Sequence, residues 1–153
     1  MLQLPDEIND LYRDVILDHY RDPRNSCYVE NPDIKCHGFN PFCGDEVDLQ
    51  VRLDAAGVVV ETGFQGNGCS ISQASASMLT EVVKGKDISE IETLRQLFRS
   101  MMQGDELQEE HMDDLGDLQA LEGVRRFPVR IKCALLAWSA LYDGLEEYRG
   151  QQS

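Results

Sequence analysis

Three of the five cysteines stand where a thiol can do chemistry. Cys69 lies in QGNGCSISQAS, behind Gly66, Asn67 and Gly68 and ahead of Ser70, at the point where a loop becomes a helix. A cysteine that only packs is ordinarily set among large apolar side chains, and Cys69 has none beside it. Cys43 lies in NPFCGDEV, a loop entering a strand, where Gly44 frees the backbone so that the Cys43 thiolate and the Asp45 carboxylate can turn toward one point. Cys133 follows Pro128-Val129-Arg130-Ile131-Lys132 near the start of the last helical pattern. Unpaired N–H groups at a helix N-terminus favour the thiolate, which predicts lowered pKa values at Cys69 and Cys133, with Arg130 and Lys132 adding to the effect at Cys133.

Three thiolates and a carboxylate are four donors of the kind that hold zinc tetrahedrally, with Zn–S distances of about 2.3 Å. The same set can hold iron or a small iron–sulfur cluster. Asp45 is the informative member, because a carboxylate is harder and exchanges more readily than the fourth Cys or His of a closed structural site. No CxxC pair occurs, which argues against a zinc ribbon and a thioredoxin-type centre. Cys27 and Cys36 lack comparable settings and read as structural, with His37 beside Cys36 leaving that residue open. His19 reads as a core or helix-end residue and His111, amid acids, as solvated. The glycines of GFQGNG are spaced GxxGxG with no basic residue following, so nucleotide binding is discounted.

The elements that must position these groups follow from periodicity. Ile8, Leu11, Tyr12, Val15 and Ile16 predict an amphipathic helix from Pro5 to about Tyr20, stopped by Pro23. EVDLQVRLD alternates with Val47, Leu49, Val51 and Leu53 on one face, turns at Ala55-Ala56-Gly57 and returns as VVVETGF, a hairpin joined by an edge strand near Ile34 to Phe39. After Cys69, ISQASASMLTEVV continues as a helix ended by Gly85, and its run of Ala and Ser lets another backbone approach closely. Asp87 and Glu90 form a capping-box start for a helix with Ile88, Ile91, Leu94, Leu97, Phe98 and Met101 as its stripe. An acidic stretch then precedes a short apolar-periodic piece at Leu115, Leu118 and Leu121. The last helix runs from Pro128 to about Tyr148. Its large apolar residues put Cys133 roughly 140° from the stripe centre, on the polar face.

At 153 residues and 42% hydrophobic the chain fits a single domain, 1–153, with a real core. The net charge of −14 disfavours nucleic acid and anionic membranes and suits basic protein partners. With no signal-like start and no long apolar run, the sequence reads as cytoplasmic, where an odd number of cysteines argues for ligands, reactive thiols or buried side chains over disulfides.

LYRDVILDHYRDPRN, NPFCGDEVDL, GNGCSISQASASM and FPVRIKCALLAW together resemble the NifU/IscU family of iron–sulfur cluster assembly scaffolds, most closely its SufU branch, over nearly the whole chain from Leu11 to Leu145. The resemblance implies an α+β fold with a small antiparallel three-stranded sheet packed against helices and ligands gathered at one exposed end. It matches Cys43, Asp45, Cys69 and Cys133 to the family's metal or cluster ligands, and it marks about 87–123 as an insertion of the SufU type. Lys132 stands where the IscU branch has histidine, and Arg126-Phe127-Pro128-Val129-Arg130 replaces that branch's chaperone motif, so chaperone engagement does not carry over.

The leading expectation is a protein of the SUF system that takes persulfide sulfur from a SufS-type cysteine desulfurase at a zinc-bound Cys3Asp site, with Cys43 as acceptor and Gly44, Gly68, Arg130 and Lys132 in support. Such activity is zinc-dependent and sulfurtransferase-like, with further SUF assembly proteins as downstream partners. A scaffold that builds and passes on a labile [2Fe–2S] cluster is the alternative. A non-catalytic interaction module with structural zinc is the third reading.

Overall fold

The computed structural model describes residues 10–152. Helix α1 (Asp10–Arg21) is followed by strands β1 (Ile34–Asn40), β2 (Asp45–Leu53) and β3 (Val59–Asn67), then by α2 (Ser70–Val82), α3 (Ile88–Met102), α4 (Glu109–Leu115), a 3₁₀ helix (Gly116–Arg126) and α5 (Pro128–Gln152). The predicted start of the first helix at Pro5 lies outside the described residues. The strands form an antiparallel sheet in the order β1-β2-β3, as the alternation of apolar residues predicts. Among the described residues no helix is long and apolar enough to cross a membrane.

Strand periodicity decides which side chains face the helices. Val47, Leu49 and Val51 of β2 are buried, whereas Leu53 is half-buried where the register shifts between Arg52 and Leu53. Asp45 belongs to the same row and is fully buried at its end. Opposite β2, Asn40 pairs with Asp45, Gly38 with Val47 and Cys36 with Leu49, so that row of β1 faces the helices too.

Helix α5 runs along β1 in the reverse direction. A methyl group at Gly38 would stand 3.1 Å from Ala140 and Leu136, and one at Gly144 would stand 3.0 Å from Cys36 and Ile34. The buried face of α5 accordingly carries Cys133, Ala137, Ala140 and Gly144 beside Ala134, Trp138, Leu141 and Leu145. Cys133 is therefore in the core and not on the polar face. The expectation fails because it weighs only large apolar residues, while the row nearest the sheet is made of small ones.

Helix α2 takes Cys69 as N-cap, and α3 opens with the full Asp87/Glu90 capping box. Gly85 adopts φ +80° beyond the end of α2. Leu115, Leu118, Leu121 and Val124 are all fully buried. Their spacing of three is that of a 3₁₀ helix, in which residues i and i+3 eclipse, so this segment presents one apolar edge to α1, α2 and α5. Phe98 of α3 meets Trp138 of α5 with ring centroids 5.9 Å apart.

Candidate metal centre

Cys43, Asp45, Cys69 and Cys133 converge at the end of the sheet where β2 begins and β3 leaves. Each arrives by a different local device. Asn40 closes the Cys43 loop: its carbonyl accepts the Gly44 N–H at 2.8 Å and its side-chain oxygen accepts the Phe42 N–H at 3.1 Å. Gly44 adopts φ +68°, and a methyl added there would meet nothing within 4 Å, so the turn requires glycine's backbone freedom and not its small size. Gly68 is constrained differently. At φ +145° its Cα lies so close to Asp45 that a methyl would meet the aspartate Cα and Cγ at 2.9 Å.

The Cys69 N–H donates to Asp45 Oδ1 at 2.8 Å, leaving Oδ2 to face the Cys69 sulfur at 3.6 Å. The Cys43 and Cys133 sulfurs are 3.3 Å apart, well beyond a disulfide bond, and every described cysteine is free. One donor atom each from Cys43, Asp45 and Cys133 lie within 4.8 Å of one another, and Cys69 adjoins them through its N–H and sulfur contacts to Asp45. Asp45 and Cys133 are fully buried while Cys43 and Cys69 are half-buried, so the cluster opens to solvent on the side of the latter two.

Electrostatics divides the sulfurs. Cys69 is lowered to about 6, first by its interaction with the neighbouring Cys133 thiol, with the Ser72 N–H at the start of α2 helping and burial opposing. Cys133 is pushed far up, first by its proximity to Cys69 and then by burial, with Asp45 and Cys43 adding. This corrects the expected lowering at Cys133. The residue sits in the second turn of α5, past the free N–H groups, and neither Arg130 nor Lys132 is among the groups that move its thiol. Lys132 instead places its ammonium 4.7 Å over the ring of Phe42. The donor set of three sulfurs and one hard oxygen, with one sulfur favoured as thiolate before any cation arrives, suits zinc or iron.

The remaining candidates lie elsewhere. Cys27 is exposed, contrary to a structural role, because its segment lies over the outer edge of β3, where its carbonyl accepts from Gln65 at 2.6 Å. Cys36 packs against α5. His37 pairs with Asp48 at 2.9 Å on the outer face of the sheet, and His111 is half-buried instead of solvated. His19 is fully buried between Ser77 and Asp117, at 2.8 Å from each. Sequence reasoning misses Asn40: buried, with its amide 3.9 Å from the Cys133 sulfur, it links the Cys43 loop to α5. The Asn-Pro step ahead of Cys43 is the turn-forming signal that points to it.

Comparison with known proteins agrees with this geometry. The profile of the NifU-like N terminal domain matches residues 11–134. The zinc-dependent sulfurtransferase SufU of Bacillus subtilis is 48% identical over 143 residues, covering 94% of this chain and 95% of that protein. The iron–sulfur cluster assembly scaffold protein IscU of Streptococcus pyogenes is 37% identical, covering 95% of this chain and 89% of its own length. The crystal structure of the Fervidobacterium islandicum protein FiSufU superposes with a TM-score of 0.79 at 33% identity, over 86% of this chain and 93% of that one. Sheet order, cysteine placement and relatives over nearly the full length lead to one conclusion: the chain belongs to the NifU-like N-terminal domain family, among its SufU- and IscU-type iron–sulfur cluster assembly proteins.

Proposed function

We propose that this protein accepts persulfide sulfur from a cysteine desulfurase of the SufS kind, with Cys43, Asp45, Cys69 and Cys133 holding a zinc ion. The observation that carries the reading is the meeting of these four groups, from three separate parts of the chain, at one half-open point. The likeness to a relative named as a zinc-dependent sulfurtransferase supports the choice of metal. Zinc keeps its thiolate ligands deprotonated and, by sharing their charge, holds their nucleophilicity in check.

The residues divide the work. Cys69 is fixed as the cap of α2, Cys133 within α5 and Asp45 at the end of β2, whereas Cys43 rides on the glycine-bearing turn after Asn40. Cys43 is therefore the thiol that can move toward a partner, while Cys69, Cys133 and Asp45 stay in place and would continue to hold the zinc. The freed Cys43 thiolate attacks the outer sulfur of the partner's cysteine persulfide. A new S–S bond forms at Cys43, the partner's S–S bond breaks, and the partner's cysteine departs as a thiolate without net oxidation.

A desulfurase assay on the zinc-loaded protein tests this. Cys43→Ala abolishes stimulation of turnover and no persulfide is found on the variant; full stimulation by Cys43→Ala together with its loss in Cys69→Ala overturns the assignment. The relative named as an IscU scaffold favours a second use of the same donors, assembly of a labile [2Fe–2S] cluster. On that reading Asp45→Ala yields a longer-lived brown protein, and an unchanged cluster lifetime counts against it.

A further inference from the structure

A second concave site lies on the far side of α5. The helix turns Cys133, Ala137 and Ala140 inward, and Leu135, Trp138, Ser139 and Tyr142 form one wall of a groove of about 410 Å³ whose other wall is Arg95 and Arg99 of α3. Trp138 is only 2% exposed, and its indole N–H has no hydrogen-bond partner among the described residues. The Nε of Arg95 is likewise buried without an acceptor, while its guanidinium stacks 4.3 Å over the ring of Tyr142. Arg99, one turn on, is exposed, and its side chain makes no ion pair or hydrogen bond among the described residues. Buried donors without acceptors are rare in folded proteins, and here two of them, the Trp138 indole N–H and the Arg95 Nε, occur beside the Arg99 guanidinium in a chain of net charge −14.

We propose that this groove binds a small monocarboxylate with a compact apolar body. The carboxylate sits between Arg95 and Arg99 beside Ser139, with Trp138 in the groove lining, and the apolar body lies against Leu135 and Tyr142. Two features set the charge of the ligand. Glu92 approaches Arg95 at 3.7 Å and Asp143 stands at the rim, so at most one positive charge, that of Arg99, is uncompensated, which suits a monoanion and repels a dianion. The volume is that of a small-molecule site.

Trp138 is the chain's only tryptophan, so one indole N–H resonance reports on the groove. The zinc-loaded, ¹⁵N-labelled full chain is titrated with sodium benzoate and, separately, with inorganic phosphate. Benzoate moves the indole signal saturably and phosphate binds more weakly. Arg99→Gln weakens benzoate by about tenfold, the scale of one charge-assisted contact, while the rest of its spectrum stays folded because the Arg99 side chain has no partner to lose. Ser139→Ala, also at an exposed position, weakens binding by a smaller factor. A linear, non-saturating response, an unchanged affinity in Arg99→Gln, or tighter binding of phosphate than of benzoate overturns the proposal.

Discussion

Replacing Gly68 by alanine tests whether the close approach of two loops, and not the cysteines alone, builds the metal centre. Two costs add at this position. The backbone stands at φ +145°, where a side chain costs about 1–3 kcal/mol. The new methyl would press on Asp45, with its Cα and Cγ at 2.9 Å, and force the carboxylate off the Cys69 N–H that it now holds at 2.8 Å. Loss of a hydrogen bond to a charged group is worth about 1.5–3 kcal/mol, so the variant is expected to lose roughly 3–5 kcal/mol of stability. On the proposal that the displaced group is one of four zinc donors, zinc affinity should fall by about 10–100-fold, the range seen when ligand-orienting contacts are removed. Gly85→Ala is the control. It also has positive φ, +80°, but open space around the methyl, so it should cost about 1 kcal/mol and leave zinc untouched. Chemical denaturation of the apo forms gives the stabilities, and competition against a chromophoric chelator gives the affinities. If Gly68→Ala is destabilised as expected yet binds zinc within twofold of the parent, Asp45 is not a ligand and the four-donor reading fails.

Two further perturbations reach other parts of the molecule. The Arg24 N–H donates to Ser77 Oγ, which lies 2.8 Å from His19 Nδ1, and the Asp117 carboxylate accepts from His19 Nε2. Asp117→Ala leaves that buried N–H to water and should cost about 1–2 kcal/mol in urea denaturation, with Asp117→Asn recovering most of it; no change in midpoint would show that the contact does not bind the 3₁₀ helix to α1. Cys36 is pushed up to about 12, first by burial and then by nearby carboxylates including Asp143. Its thiolate population near pH 8 is then about a thousandfold below that of an ordinary thiol, so iodoacetamide should label exposed Cys27 and spare Cys36; equal labelling by mass spectrometry refutes it. Because the folded pKa is the higher one, the stabilisation is complete below about pH 9 and is lost as pH rises toward 12.

Much of the architecture is legible in the sequence because the physics is local. Alternation at Val47, Leu49 and Val51 sets the strand faces, and Asp87 with Glu90 sets the start of α3. The convergence of Cys43, Asp45 and Cys69 is legible for the same reason, since Gly44 marks a turn that needs positive φ and Gly68 a point of close approach. What fails depends on partners distant in sequence. Cys133 reads as a polar-face residue because Ala137, Ala140 and Gly144 carry no strong apolar signal, although it is their smallness that lets α5 lie against β1. The acidic run before Leu115 hides the short helix α4, whose half-exposed surface gives little periodicity to detect. His19 reads correctly as a core residue, but Asp117 lies 98 positions away and nothing near either residue announces the pair.

The tight seam between β1 and α5 has a further consequence. Gly38 and Gly144 act as a spacer of zero thickness, setting how far the first turns of α5, and with them the Cys133 sulfur, stand from the strand that leads into the Cys43 loop. The aperture between those two sulfurs is thus governed from a contact line that holds no donor atom, and anyone wishing to widen it for a larger guest would begin by thickening the spacer.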